Sequence, residues 1–396
     1  MSELLTLIKE LVRIDSVNPA LDPAHPGETE IATFVAAWAK ARRLQVEWLE
    51  AVAGRPSVVV TAKGSGGGRN LLLNAHLDTV GVAGMTSPFE PEILDGRLYG
   101  RGAMDMKASL AACLLTVARA GTLDLQGDVI LTAVADEEHG SIGTEETLAT
   151  VTATTRVDAA IVTEPSDLDL HIAHRGFALV DVEFEGKASH TSQPENGVNA
   201  LNHMGRLLMA VDEQDRELKR RSPHPLLSHG SLQAVLAAGG HELFTTPSNA
   251  AVTLERRTLP GETADTALAE LQALLAELTS ADPAIRATVR PGVAREPFEL
   301  EADREIVELL AKAIGVERGV PPRLLGAPYW TDAALVAAAG IPTVLFGPIG
   351  GGIHQPGEWL DVNSAELVLR VLEGVVREFT PKPTIPPGVP TPSIRG

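Results

Sequence analysis

The sequence predicts an α/β fold in which a mixed sheet lies between helices and the domain is interrupted by a smaller α+β insertion. Three observations predict it. Short, nearly continuous apolar runs alternate with amphipathic helices over the first 176 residues, as in a sheet covered on both faces. A strictly alternating run then appears at 177–185, which suits a half-exposed antiparallel strand. The first pattern resumes near Asp303. With 396 residues the chain has room for more than one domain of ordinary size.

In chain order, Leu4, Ile8, Leu11 and Val12 recur at helical spacing, as do Ile31, Phe34, Val35 and Trp38. Buried strands are expected at 57–61, 70–74, 129–134, 159–162 and 343–346, with helices at 107–120, 145–150 and 333–339. In the middle, Ala178, Val180, Val182 and Phe184 share one face of a strand, and Leu201, Met204, Leu207, Leu208 and Val211 share one face of a helix. A strand at 251–259, a helix at 263–278 and a strand at 287–290 complete an insertion with two helices on one sheet face. The domain boundaries read from this are 1–176 and 292–380 for the interrupted domain and 177–291 for the insertion. Residues 381–396 form a proline-rich tail that can build neither helix nor central strand.

Composition excludes several roles. The 33 basic and 52 acidic residues sum to −19, which argues against nucleic-acid binding. No stretch approaches the ~20 apolar residues of a membrane span, and the first ten residues are too charged for a signal peptide. Cys113 is the single cysteine, so intrachain disulfides and thiolate zinc sites are excluded and a reducing, cytoplasmic location is expected.

In open α/β sheets, ligands bind beyond the carboxyl ends of the strands. The successive tips here read Asn74-Ala75-His76-Leu77-Asp78, then Ala135-Asp136-Glu137-Glu138, then Thr163-Glu164-Pro165-Ser166, and finally a glycine-rich run to His354. A loop between the first two carries Gly100-Arg101-Gly102-Ala103-Met104-Asp105-Met106-Lys107. Each piece alone is ordinarily a hydrogen-bonded turn; their conjunction at successive tips selects a site. Histidine and carboxylate without cysteine are the donor set of a catalytic metal centre. Two imidazoles and three carboxylates suit two divalent ions sharing one carboxylate. Adjacent Glu137 and Glu138 can divide the work, one ligating while its neighbour faces a water. Asp78 suits a carboxylate that holds the His76 imidazole in its ligating tautomer.

These blocks, with Gly186-Lys187-Ala188-Ser189-His190-Thr191-Ser192-Gln193-Pro194, Arg256-Arg257-Thr258-Leu259-Pro260-Gly261-Glu262 and Thr331-Asp332-Ala333-Ala334, resemble the dinuclear zinc aminoacylase and carboxypeptidase family. That family includes acetylornithine deacetylase, succinyl-diaminopimelate desuccinylase and glutamate carboxypeptidase. The resemblance covers nearly the whole chain up to the tail. It implies a zinc-exopeptidase-like catalytic domain with an inserted lid and dimerisation domain. It also implies that His76 and Glu164 hold one metal, Glu138 and His354 the other, and Asp105 both, with a cis peptide after Asp105. Zinc is the expected ion, with cobalt and manganese as alternatives. Glu137 takes the general base's place and Asp78 that of the carboxylate behind the first histidine. His190 matches a histidine that reaches the site of the other subunit of a homodimer, and Arg257 matches a lid arginine that binds the substrate carboxylate. One departure stands out: Phe244-Thr245-Thr246-Pro247 replaces an Asn-x-x-Pro segment.

The expected reaction is hydrolysis of an amide in a small N-acyl amino acid with a free carboxylate, of the deacetylase or desuccinylase type. A water bridging two metals would attack with Glu137 as base, His190 would steady the oxyanion, and Arg257 with the amides near Gly350 and Gly351 would hold the carboxylate. Dipeptidase or glutamate-type carboxypeptidase action on the same site is the alternative. A non-catalytic binding protein should have lost Glu137 or a ligand, and none is lost. A two-metal phosphatase or nuclease is disfavoured by the net negative charge. Tyr329 and Trp330 suit either core packing or the leaving-group pocket.

Overall fold

A computed structural model of the chain describes residues 2–380; the proline-rich tail expected at 381–396 lies outside the described residues. The chain divides into two compact units. One comprises Met1–His171, Leu300–Leu324 and Leu335 onward; the other comprises Ile172–Glu299 and Leu325–Ala334.

The first unit is built on a mixed sheet. Its strands run in the order Gln45–Leu49, Ser57–Ala62, Val129–Val134, Leu71–His76, Ala159–Val162 and Thr343–Leu345. The last four of these are mutually parallel, so their carboxyl ends open on one side. The two outer strands are antiparallel. Every residue of Ser57–Ala62, Leu71–His76 and Val129–Val134 is buried, which is why these strands read as continuous apolar runs without alternation. The helix Ala108–Ala120 packs against Val362–Phe379, which also packs against Glu305–Arg318. Asp361 caps Val362–Phe379 by accepting the amide of Ser364 at 2.8 Å, and Ser2 caps Glu3–Val12 through the amide of Leu5 at 3.1 Å. A small sheet, unforeseen in the sequence, joins Gly350–Gly351, Trp359–Asp361, Arg97–Tyr99 and Glu92–Leu94. Among the described residues no helix is long and apolar enough to cross a membrane.

The second unit holds a four-stranded antiparallel sheet in the order Ser231–Gly239, Asn249–Thr258, Gly176–Glu185 and Arg286–Arg295. The alternation expected at 177–185 is realised. Val180, Val182 and Phe184 are buried with Leu207 and Val211 of the helix Ala200–Arg220 and Leu271 and Leu275 of the helix Ala264–Ala281. Thr263 opens the latter helix with a reciprocal capping box to Thr266. The strand Ser231–Gly239 was not expected. Its Ala-Val-Leu-Ala-Ala run has no period, because it is an edge strand whose residues from Gln233 to Gly239 are all exposed. Trp330 packs edge-on to His174 and Phe177 and donates to the carbonyl of Glu296 at 3.1 Å, which is the packing role of the two considered for it.

Candidate metal centre

The parallel strands of the first unit deliver the expected donors to one place. His76 ends its own strand, Glu137 and Glu138 follow Val134, and Glu164 follows Val162. His76 is buried. Its Nδ1 lies 2.9 Å from the carbonyl oxygen of Asp78, and since a carbonyl can only accept, Nδ1 carries a proton, which makes Nε2 the nitrogen a metal would take. That Nε2 faces Asp105 Oδ1 at 3.0 Å and Glu164 Oε1 at 3.8 Å.

The other oxygen of Asp105 faces the second histidine. His354 Nε2 lies 3.4 Å from Asp105 Oδ2 and 3.1 Å from Glu138 Oε2. One carboxylate thus presents one oxygen to each imidazole, as a carboxylate shared by two cations must. The peptide between Asp105 and Met106 is cis. Donor atoms of His76, Glu137 and Glu164 lie within 4.8 Å of one another, and so do those of His76, Asp105 and Glu138. Adjacent Glu137 and Glu138 therefore enter different trios.

The electrostatics suit cations. Burial works against a charged His76, yet Asp105, Glu164 and Glu137 together hold its pKa well above the ordinary histidine value. His354 is pushed up to about 10 by its contacts with Asp105 and Glu138. Glu138 is raised by burial and then by the charge of Asp105. Asp105, despite burial, is kept below the usual carboxylate range by His354 and His76. With both imidazoles neutral, as metal ligation requires, the four carboxylates carry a formal charge of about −4, which two divalent ions would balance. The donor set, all nitrogen and oxygen, fits zinc as well as harder divalent ions.

The role expected of the Asp78 carboxylate needs correction. Its Oδ1 is 3.7 Å from His76 Nδ1, too far for a hydrogen bond, and its carbonyl makes that contact instead. The carboxylate accepts the backbone amides of Glu137 at 3.2 Å and Glu138 at 3.1 Å. Asp136, in the left-handed region at φ 69°, turns the chain so that both amides point there. The same carboxylate is held by Asn18, fully buried, whose amide donates to Asp78 Oδ2 at 2.8 Å and to Asp136 Oδ1 at 3.0 Å. Arg55 also donates to Asp136 at 2.7 Å and grips buried Glu28 with two bonds of 2.6 and 2.7 Å. No motif flags Asn18, Arg55 or Glu28, which come from loops and helix ends far from Asp136 in sequence. Asn18→Ala would leave two buried carboxylates each short of a donor. It should lower unfolding stability by about 1–3 kcal/mol in urea titrations and reduce kcat through the Glu137–Glu138 bend.

Gly350 and Gly351 pair with Leu360 and Trp359. A Cβ on Gly350 would meet the Trp359 carbonyl oxygen at 2.4 Å and Met104 Sδ at 2.5 Å, so close packing demands glycine there. His190 and Arg257 belong to the second unit. His190 is exposed, with Nδ1 2.7 Å from Ser192 Oγ. Beside it Phe244, exposed and at φ 64°, accepts the amide of Thr191 through its carbonyl at 3.0 Å. Of the two consecutive arginines, Arg256 is fully buried and bound to Glu262 and Glu270, whereas Arg257 is partly exposed beside Glu255 at 2.7 Å.

Comparison with known proteins identifies the family. Residues 72–378 match peptidase family M20/M25/M40. An acetylornithine deacetylase from Myxococcus xanthus is 30% identical over 335 residues, spanning 82% of this chain and 84% of the relative. An M20 family metallo-carboxypeptidase from Sulfolobus solfataricus superposes with a TM-score of 0.80 at 18% identity, covering 96% of this chain and 100% of that one. A Bacillus subtilis structure described as a dinuclear metal binding peptidase of the M20 family superposes with a TM-score of 0.72 at 15% identity, over 95% and 97% of the two chains. The chain belongs to peptidase family M20/M25/M40 and is a hydrolase of its metallopeptidase and amidohydrolase kind.

Proposed function

We propose that the chain removes the acyl group from a small N-acyl amino acid, of the deacetylase or desuccinylase type. The observation that carries this is the division of adjacent Glu137 and Glu138 between two donor trios, with both backbone amides pinned by Asp78. Two adjacent carboxylates pinned side by side at one centre allow one to serve a metal while its neighbour serves a proton. The choice of an acyl amino acid over a peptide is supported by the deacetylase relative, which matches over most of both chains.

His76 and Glu164 would hold one divalent ion and Glu138 and His354 the other, with Asp105 shared; zinc is the expected metal. When bound, two such ions supply Lewis acidity that acidifies water and polarises a carbonyl. Glu137 takes the proton of the attacking water as its oxygen bonds to the scissile carbonyl carbon. It then delivers that proton to the amine nitrogen as the C–N bond breaks. Arg257, with main-chain amides at Gly350 and Gly351, holds the substrate's free carboxylate and so orients the amide. His190 donates to the oxyanion.

We assign 177–291 as a lid and dimerisation domain that carries His190 to the centre of the other subunit. The exposed edge strand Ser231–Gly239, with Val235 and Leu236 on its surface, supports pairing between copies, since a bare apolar edge otherwise invites aggregation. A cytoplasmic enzyme is in keeping with the single, buried cysteine, Cys113.

The test is metal analysis followed by hydrolysis of N-acetyl, N-succinyl and dipeptide substrates. Turnover of acyl amino acids well above that of dipeptides supports the proposal. A preference for dipeptides would instead make the chain a dipeptidase.

A further inference from the structure

The loop that carries Asp105 is gripped by a buried ion pair that the sequence did not single out. Glu358 Oε2 accepts from Arg101 Nη1 at 2.6 Å and from the amide of Gly102 at 3.0 Å. Its Oε1 accepts the amides of Met104 at 2.9 Å and of Asp105 itself at 3.2 Å. Arg101 directs its remaining donors to two carbonyls, that of Gly81 at 3.1 Å and that of Gln355 at 3.3 Å. Arg101 and Glu358 are 2% and 1% exposed, so these contacts are shielded from water. One pair therefore ties together three segments: the loop leaving Asp78, the turn bearing Asp105, and the residue after His354.

The contacts are charge-assisted and go to main chain, so they set where backbone lies rather than which side chain it bears. Gly102 completes the grip. It sits at φ +76°, and a Cβ there would meet Thr79 Cγ2 at 2.7 Å, so the turn takes this path only with glycine. Ligand distances at a metal centre tolerate shifts of about 0.2 Å. Loss of Glu358 would remove the acceptor of the Asp105 amide itself, and loss of Arg101 would remove the donor to Gln355, the residue next to His354.

We propose that Arg101 and Glu358 are positioning residues that set metal affinity at the centre, through shared Asp105 and through His354, without ligating metal themselves. The proposal rests on the two-ion reading of the site. A purely scaffolding role would instead lower stability and leave the affinities of the folded protein unchanged.

The experiment uses the full-length chain, freed of metal and titrated with Co2+ while its visible absorption is followed, beside Zn2+ competition against a chelator and thermal melts. Wild type should take up two ions. Glu358→Gln replaces an acceptor by an amide that faces N–H donors, and at least one of its two Co2+ steps should weaken by roughly 10–100-fold, the range for partners behind metal ligands. Its Co2+ spectrum should change as well. Arg101→Lys keeps the charge but loses the fork that spans Glu358, Gly81 and Gln355. It should show a smaller weakening of the same step, and it decides the matter if Glu358→Gln does not fold. Wild-type affinities and spectra in a folded variant would overturn the proposal alone. Uptake of fewer than two ions by wild type would overturn the two-ion reading beneath it, and that failure shows before any variant is made.

Discussion

Replacing Glu137 by glutamine should abolish turnover while both metals stay bound. The amide keeps the shape and polarity of the side chain but cannot accept a proton from water, and loss of a general base lowers kcat by roughly 10²–10⁴-fold. KM should change little, because Glu137 is assigned no contact with the substrate carboxylate. Glu138→Gln should fail differently. Its carboxylate oxygen lies 3.1 Å from His354 Nε2, in the half of the centre that His354 and Asp105 share. Metal content should fall toward one ion per chain, and excess Zn2+ should restore part of the activity. Equal metal loss in the two variants, measured by elemental analysis after dialysis, would refute the division of labour.

His190 should act across the interface of a homodimer. Removing one donor to an oxyanion costs about 10²–10³ in kcat, so His190→Ala should be nearly as inert as Glu137→Gln. Mixing these two inactive proteins under conditions that exchange subunits should restore activity. A mixed dimer contains one centre with an intact base that meets the partner subunit's His190, also intact. If exchange is verified by a tag on each variant and no activity returns, His190 does not work in trans.

The fold class and the donor set were legible because both follow from side-chain pattern. Strands buried on both faces are largely apolar, so His76, Glu137, Glu138 and Glu164 stand out as the ionisable residues that close them. What the sequence concealed falls into two kinds. Main-chain contacts leave no trace in side-chain identity, which is why the carbonyl of Asp78 was missed as the partner of His76. Long-range pairings leave little more. Glu358 binds a turn more than 250 residues earlier, and Asn18 bridges two carboxylates contributed by separate strand tips. The edge strand Ser231–Gly239 escaped because exposure on both faces erases the period that betrays a strand.

The bond between His76 Nδ1 and the Asp78 carbonyl has an evolutionary corollary. Every amino acid at position 78 supplies a carbonyl, so the tautomer of the metal-facing imidazole is inherited from the backbone path and is immune to substitution there. Selection on the Asp78 side chain is then free to act on a different quantity, the bend that presents Glu137 and Glu138. Two requirements that could have competed for one carboxylate are assigned to different atoms of one residue. The aim of the proton donor and the pose of the base can therefore drift independently as a lineage explores new substrates.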